Sequence, residues 1–225
     1  MTLVWDWNGT LLEDVDAAVF ALNRMLRVRG IGAITREHYR ARFRFPSRDF
    51  YLELGVDLPN EDWGKICTDF HEGFESAGTQ HLREGTMEAL EAAAKAGCRQ
   101  ILLSAHREDL LRRDAESVGI AGYFESIIGT DNLDGASKLE RARAHFAACP
   151  PSQPFVFIGD TLHDAEVASD LGAECILFTG GHQEASRLAV TGCPLVDSLS
   201  SAVSAALGRK RGEPLAKTGT ASEKR

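Results

Sequence analysis

Long hydrophobic runs are missing from this sequence of 225 residues. No apolar stretch approaches the roughly 20 residues that are needed to cross a bilayer, so we expect no membrane-spanning helix and no membrane partner. The first apolar segment is short and is flanked by an acidic residue, which is not typical of a signal peptide. We therefore expect a cytoplasmic protein.

Cysteine is sparse and carries no recognisable pattern. The five cysteines are an odd number, lie at wide spacings and form no Cys-x-x-Cys pair. This arrangement disfavours both a disulfide framework and a zinc site. Buried or incidental thiols are the better interpretation.

Positive charge is also in deficit. The net charge is −8, and residues 208–225 carry six Lys or Arg and two Glu, so residues 1–207 carry −12. Proteins that bind nucleic acid generally present a basic face, and this balance therefore disfavours that class of partner. Part of the negative charge is expected to be offset by a bound metal.

Two apolar runs end abruptly in acidic residues. The first covers residues 2–5 and is followed by Asp6; the second covers residues 155–158 and is followed by Gly159, Asp160 and then Asp164. Open α/β sheets bind ligands just beyond the carboxyl ends of their strands, where such carboxylates can gather around one point. A cluster of carboxylates is costly unless a cation neutralises it, and an all-oxygen site suits Mg²⁺.

Strands alternate with helices from about residue 85 onwards, which predicts an α/β fold with a doubly wound parallel sheet and right-handed crossovers. Residues 15–82 instead read as helices broken by Gly and Pro. We interpret them as a small helical cap inserted after the first strand, with a core domain formed by residues 1–14 and 83–207. The polar tail, residues 208–225, lacks an apolar stripe and is expected to be disordered.

Four motifs give these strand ends a family resemblance. The sequence from Asp6 to Leu11 resembles motif I of the haloacid dehalogenase superfamily, Ser104 resembles motif II, Lys138 resembles motif III, and Asp160 with Asp164 resembles the acidic motif IV. All four occur in the family's order, and the residues up to about 207 fit the rest of the fold. The resemblance is greatest to phosphoglycolate phosphatase-like members, whose helical cap lies between motifs I and II. It implies a Rossmann-like core.

The resemblance also implies a chemistry and a set of roles. It implies a Mg²⁺-dependent phosphatase that hydrolyses a small phosphomonoester metabolite, similar to phosphoglycolate, through an aspartyl-phosphate. A covalent intermediate splits one hard step into two easier ones. The nucleophile would be Asp6, and Thr10 would orient the turn around it. The implied metal ligands are Asp6, the backbone carbonyl of Asn8, Asp160 and Asp164, and the implied phosphoryl-binding groups are Ser104, the nearby backbone of Ala105 and His106, and Lys138.

The residue at position 8 departs from the family pattern. Most phosphatases of this superfamily carry a second Asp there, which protonates the leaving oxygen, whereas an amide cannot exchange a proton near neutral pH. General acid–base help is typically worth about 10² to 10⁴ in rate. A good leaving group such as an acyl phosphate, a substitute donor, or slow turnover would each explain Asn8. The candidate substitutes are His106, His163 and His182.

Five arginines fall within residues 36–48, interleaved with Phe43 and Phe45. The simpler interpretation is a solvated helix face. The alternative is that Arg44 or Arg48 closes over an anionic group of the substrate, since a carboxylate favours bidentate arginine.

Each motif residue also has a plain structural interpretation, and other reactions stay open. An Asp after a strand is often a helix cap, and Lys138 could be a solvated lysine, although helix starts prefer anions. A phosphonatase would need a cap lysine for a Schiff base, and Lys65 is the only lysine of residues 15–82. A phosphomutase, or a phosphate-binding protein with weakened catalysis, is a further alternative. The expected partner is a small phosphorylated metabolite, and the expected oligomeric state is a monomer or homodimer.

Overall fold

The computed structural model describes residues 1–78, 80–131 and 138–208. Its strands, in chain order, are β1 (Thr2–Trp5), β2 (Leu12–Glu13), β3 (His81–Leu82), β4 (Arg99–Arg107), β5 (Ser126–Thr130), β6 (Phe155–Gly159), β7 (Glu174–Phe178) and β8 (Leu195–Val196). Its α-helices are α1 (Val15–Arg27), α2 (Arg36–Arg42), α3 (Ser47–Glu53), α4 (Trp63–Ser76), α5 (Thr86–Lys95), α6 (Glu108–Ser117), α7 (Lys138–Ala148), α8 (Leu162–Asp170), α9 (Ala185–Leu188) and α10 (Leu199–Leu207).

Six of the described strands form one parallel sheet in the order β5-β4-β1-β6-β7-β8. The first strand lies in the middle, with Trp5 opposite Leu102 of β4 on one side and Ile158 of β6 on the other. The carboxyl ends of β1, β4 and β6 therefore lie side by side. This topology confirms the predicted doubly wound α/β sheet and explains how distant motifs reach one edge.

Helices cover both faces of the sheet. Leu3 and Trp5 of β1 pack with residues of α5, α6 and α10, whereas Val4 between them packs with residues of α7, α8 and α9. Successive side chains of a strand point to opposite faces, and here both faces are buried. A strand that is buried on both sides reads as a continuous apolar run, which is why the sequence identified it.

The helices α1–α4, called the cap helices below, build a separate apolar cluster. Its members include Leu22 and Met25 of α1, Phe50 of α3 and Ile66 of α4. Gly73 of α4 lies so close to α1 that a Cβ there would stand 2.9 Å from the Cα of Ala21. The helical nature of this region is as predicted; the division of the chain after residues 14 and 82 stays a prediction.

A short antiparallel pair joins the sheet region to the cap helices. Leu12 of β2 is opposite Leu82 of β3, and Glu13 is opposite His81. The sequence analysis missed these strands because two residues are too few to show a period of two. They bring together the points where the chain leaves and re-enters the sheet region.

Other boundaries differ in detail. The helix α8 begins at Leu162 instead of residue 165, and β4 continues to Arg107, although its pairing with β5 shifts after Leu103. Within the described parts of the chain, no helix combines the length and apolarity that a membrane span requires. The expectation of a disordered tail concerns residues 208–225, of which residues 209–225 lie outside the described residues.

Candidate active site

Three carboxylates meet at the carboxyl edge of the sheet. Asp6 follows β1, Asp160 follows β6, and Asp164 lies in the first turn of α8. All three are buried, and an oxygen from each lies within 4.8 Å of the others. The structure therefore brings together the acidic residues that the sequence singled out, although Asp6 is more than 150 positions from the other two in the chain.

One ammonium group sits among these carboxylates. The Nζ of Lys138 donates to Oδ1 of Asp6 at 2.6 Å and to Oδ1 of Asp164 at 2.8 Å. Burial lowers the pKa of Lys138, but the two carboxylates outweigh burial and hold the pKa above its usual value. The lysine is only 2% exposed, so it is not the solvated lysine of the simpler interpretation.

Asp164 is both a helix cap and a member of the cluster. Its Oδ2 accepts hydrogen bonds from the backbone N–H and the hydroxyl of Thr161, at 2.9 Å and 2.7 Å, and the Thr161 hydroxyl in turn accepts from the Asp164 backbone. This capping box leaves Oδ1 for Lys138. The two interpretations of this residue are therefore compatible.

The cluster carries more negative than positive charge. Burial raises the pKa of Asp160 to about 6, and Asp164 adds to this effect. Burial likewise raises the pKa of Asp6, with Lys138 opposing it. Three buried carboxylates beside one ammonium fit a divalent cation, because buried charges require neutralisation. The all-oxygen set of ligands suits Mg²⁺.

Two loops, each with a glycine in close contact, pack around Asp160. Its Oδ1 accepts from the hydroxyl of Thr10 at 3.1 Å, and its Oδ2 accepts from the backbone N–H of His182 at 2.6 Å. A Cβ on Gly181 would stand 2.1 Å from Oδ2, and one on Gly9 2.3 Å. Gly9 also has a φ of +75°, which side chains disfavour. Glycine is therefore needed at both positions.

Asn8 is held by a residue that the sequence analysis did not single out. The Nδ2 of Asn8 donates to Oδ2 of Asp14 at 2.8 Å, and the backbone N–H of Gly9 donates to Oδ1 at 2.7 Å. His182 lies on the same carboxylate, with Nε2 3.3 Å from Oδ1, and its Nδ1 is 3.0 Å from the hydroxyl of Tyr39. The sequence signal for this residue was an acidic side chain, Asp14, just before α1. Such a residue is more simply interpreted as a helix N-cap.

The charges of this second group balance each other. Burial lowers the pKa of His182, but Asp14 outweighs burial and raises it to about 9. Burial raises the pKa of Asp14, while His182, Asn8 and Gly9 together lower it. The amide of Asn8 is thus fixed by an ionised carboxylate.

Ser104 lies inside β4, at the point where regular pairing with β5 is lost. It is buried, and its Oγ accepts from the backbone N–H of His106 at 3.0 Å. The hydroxyl hydrogen is thereby free to be donated elsewhere. Ser104, Ala105 and His106 line the same cavity as Asp6 and Lys138.

The three histidines named from the sequence all line this cavity. The Nε2 of His106 lies 3.3 Å from Oδ2 of Asp114, and burial lowers its pKa. The ring of His163 packs against Phe45 at 5.1 Å between centroids. His182 is engaged at both ring nitrogens, as described above.

The structure places three cap cations away from the acidic cluster. Arg44 pairs with Glu53. The guanidinium of Arg48 lies 4.9 Å over the ring of Trp63, and Lys65 pairs with Asp69 at 2.8 Å. Of the described residues that line the cavity, none is one of these three. In this structure, their existing partners hold Arg44, Arg48 and Lys65 outside the cavity lining; closure of Arg44 or Arg48 over a substrate stays a prediction.

A different arginine of the same run joins the cap helices to the sheet region. Arg40 donates from Nη2 to the carbonyl of Thr179 at 2.6 Å and from Nε to the carbonyl of Gly181 at 2.8 Å. The loop after β7 also contributes the N–H that binds Asp160. The position of α2 is therefore coupled to the acidic cluster through one loop.

Comparison with known proteins places this geometry in a family. A family model described as haloacid dehalogenase-like hydrolase matches residues 3–178. The chain belongs to the haloacid dehalogenase-like hydrolases. This confirms the family inferred from the four motifs.

Individual relatives of this hydrolase are distant in sequence but similar in fold. It is 23% identical over 188 residues, covering 81% of this chain and 85% of the relative, to a phosphoglycolate phosphatase of Rhodobacter capsulatus. The structure of a predicted phosphatase from Clostridium acetobutylicum matches with a TM-score of 0.77 at 18% identity, over 92% of this chain and 98% of that one. A haloacid dehalogenase-like protein of unknown function from Agrobacterium tumefaciens matches with a TM-score of 0.73 at 20% identity, over 92% and 99% of the two chains.

Proposed function

We propose that this hydrolase is a Mg²⁺-dependent phosphatase that cleaves a small phosphomonoester through a phosphorylated Asp6. The observation that carries the proposal is the buried cluster of three carboxylates with Lys138 between two of them. The relative from Rhodobacter capsulatus, a phosphoglycolate phosphatase, supports the same reaction class.

In the first step, the Asp6 carboxylate attacks phosphorus. An O–P bond forms to Asp6, the bond between phosphorus and the ester oxygen breaks, and that oxygen departs with the electron pair. Among the described residues, no donor occupies Oδ2 of Asp6, while Lys138 holds Oδ1 at 2.6 Å. The free oxygen is therefore oriented without being blocked. In the second step, the oxygen of water forms a bond to phosphorus, the O–P bond to Asp6 breaks and regenerates its carboxylate, and inorganic phosphate departs with the protons of the water.

Positive charge and hydrogen-bond donors stabilise the transferred group. Lys138 fixes Asp6 and adds positive charge where the phosphoryl oxygens lie. The Ser104 hydroxyl, whose oxygen already accepts from His106, donates its hydrogen to a phosphoryl oxygen. Transfer of a phosphoryl group depends mainly on such positioning and neutralisation.

The residues Asp6, Asp160 and Asp164, with the backbone carbonyl of Asn8, would hold the metal. A Mg²⁺ ion bound there supplies charge neutralisation between the carboxylates and the anionic substrate. The gathering of three buried carboxylates around a single ammonium group supports this assignment.

The experiment is release of inorganic phosphate from acetyl phosphate and from a panel of acid, sugar and aryl phosphates, with Mg²⁺ and with EDTA. We expect Mg²⁺-dependent release that is lost in Asp6→Asn. The matched control is Asp170→Asn, which changes an exposed carboxylate of α8 and should keep full activity.

Two results would contradict the proposal. Phosphate release by Asp6→Asn at the wild-type rate would exclude Asp6 as the nucleophile. Binding of beryllofluoride by the wild type with no turnover of any phosphate would instead favour a phosphate-binding protein.

A further inference from the structure

The cavity beyond the acidic cluster has walls that phosphoryl binding does not use. Its volume is about 370 Å³, within the range of small-molecule sites. The cap helices supply many of its apolar side chains, among them Leu22 of α1, Tyr51 of α3, and Phe70 and Phe74 of α4. The body of a substrate bound here loses water against apolar surface, which favours an apolar body.

Aromatic rings begin directly beside the reacting groups. The ring of Phe45 lies 5.1 Å from that of His163, the residue before Asp164. The ring of Phe43 lies 5.7 Å from that of His182, whose backbone binds Asp160. When the phosphate of a substrate lies at the acidic cluster, a flat ring attached to it would therefore contact the faces and edges of these aromatic side chains.

The charges in these walls disfavour an anionic body. Among the described residues that line the cavity, the lysine and arginine side chains are Lys138 and Arg113. Lys138 is bound between two carboxylates. Arg113 is 66% exposed and donates to Asp114, and Glu75 lies in the same wall. The ring of His182 also lines the cavity, but its charge is paired with Asp14. A carboxylate on the substrate would therefore lose hydration there with little compensation.

The chemistry at position 8 constrains the leaving group. Asn8 carries no acidic proton, and its amide is committed to Asp14 at 2.8 Å. The departing oxygen therefore receives no proton from this residue. A phenolic oxygen, whose conjugate acid has a pKa near 10 as in tyrosine, departs as the anion far more readily than an alkoxide. It then takes its proton from water.

We propose that the substrate is an aryl monophosphate, in which an uncharged aromatic body fills the cavity and a phenolate is the leaving group. This inference rests on the proposed phosphatase function. It joins two independent observations, the aromatic lining and the amide at position 8.

The test compares kcat/KM for four phosphates with Mg²⁺. Phenyl phosphate has an aromatic body and a phenolic leaving group, and 2-phenylethyl phosphate keeps the aromatic body with an alkoxide. Phosphoglycolate has an anionic body with an alkoxide, and acetyl phosphate is small with a good leaving group. We expect the kcat/KM for 2-phenylethyl phosphate to exceed that for phosphoglycolate by at least about tenfold, because burial of an aromatic group stabilises the bound substrate. The kcat/KM for phenyl phosphate should exceed that for 2-phenylethyl phosphate by about 100-fold or more, which is the lower end of the rate factor contributed by general acid catalysis.

Each of these two comparisons tests one part of the inference, and each has a result that would overturn that part. Phosphoglycolate cleaved as well as 2-phenylethyl phosphate would exclude the aromatic body. Equal rates for phenyl and 2-phenylethyl phosphate would exclude the phenolic leaving group. Turnover of acetyl phosphate or phosphoglycolate alone overturns this inference and keeps the phosphatase, whereas turnover of none defeats the proposed function and the inference with it.

A matched pair of variants tests the wall itself. Phe74→Asn should lower the ratio of kcat/KM for phenyl phosphate to that for acetyl phosphate by about tenfold. Phe20→Asn changes an aromatic residue of α1 that is 50% exposed and is not among the described lining residues, and should leave the ratio unchanged. Because both substrates are measured on one preparation, the ratio is independent of the folded fraction. An unchanged ratio in Phe74→Asn would exclude contact between this wall and the substrate.

Discussion

At the residue scale, the site consists of two charged groups that share Asn8 and Gly9 as neighbours. The first group is the acidic cluster around Asp6, in which the negative charges outnumber the positive ones. The second, formed by Asp14 and His182, is balanced, since the raised pKa of His182 and the lowered pKa of Asp14 favour an ion pair. The amide of Asn8 suits this surrounding because it donates to Asp14. A carboxylate at position 8 would face Asp14 at the same distance.

Replacing Asn8 by Asp should therefore destabilise the fold by about 1–3 kcal/mol, because a buried hydrogen bond becomes a contact between two acids. The contact between the introduced carboxyl and Asp14 raises the pKa of one of these two groups in the folded state. The folded protein therefore retains a proton that the unfolded chain releases. Stability is then lost as the pH rises, and the loss should be larger at pH 8 than at pH 5. Urea unfolding in EDTA at both pH values measures this.

The control for this variant is Asn60→Asp. Asn60 also donates its Nδ2 to an aspartate, Asp57, at 2.9 Å, but the pair is exposed. Water screens such a pair, so we expect a change within about 0.5 kcal/mol. An equal loss at both pH values in Asn8→Asp would refute the carboxylate contact.

At the element scale, the cap helices depend on one close approach. Gly73 of α4 packs against Ala21 of α1, and the two helices carry opposite walls of the apolar cluster that includes Leu22 and Ile66. Small residues at a crossing let helix backbones approach closely. The aromatic residues of α4 that line the cavity lie within one turn of Gly73, so this crossing also sets the position of that wall.

Gly73→Val should lower the free energy of unfolding by about 1–3 kcal/mol, because the added side chain meets the α1 backbone and cannot move aside. Denaturant unfolding measures the change. Gly32→Val, at a glycine with no atom within 4 Å of an added Cβ, should change stability by no more than about 0.5 kcal/mol. Wild-type stability in Gly73→Val would mean that the two helices separate at little cost.

At the scale of the whole molecule, the cap helices and the sheet region share the cavity and are tied by hydrogen bonds. Besides Arg40, the side-chain amide of Gln183 donates to the carbonyl of Phe43 at 2.8 Å. The loop that carries Gln183 also binds Asp160 through His182. The acidic cluster, the loop after β7 and the aromatic residues of the cavity wall therefore form one connected unit.

Binding of Mg²⁺ should stabilise this unit as a whole. At 100 times its dissociation constant, Mg²⁺ should raise the free energy of unfolding by about 2.7 kcal/mol, provided that it binds only the folded state. Asp160→Asn should abolish the shift, and Asp170→Asn should retain it. Identical unfolding curves for wild-type protein in EDTA and in Mg²⁺ would show that the cluster binds no such ion.

The parallel sheet and the family were predictable from the sequence, because buried strands are continuous apolar runs and the motifs of Asp6, Ser104 and Asp160 each follow such a run directly. The motif residues could be proposed for the same reason, since parallel strands place their carboxyl ends at one edge. The partners of Asn8, the placement of Arg44, Arg48 and Lys65, and the lining of the cavity could be read from the three-dimensional structure alone. These depend on contacts between distant segments, in which competing partners such as Glu53 and Asp14 fix each side chain, and no local pattern encodes that competition.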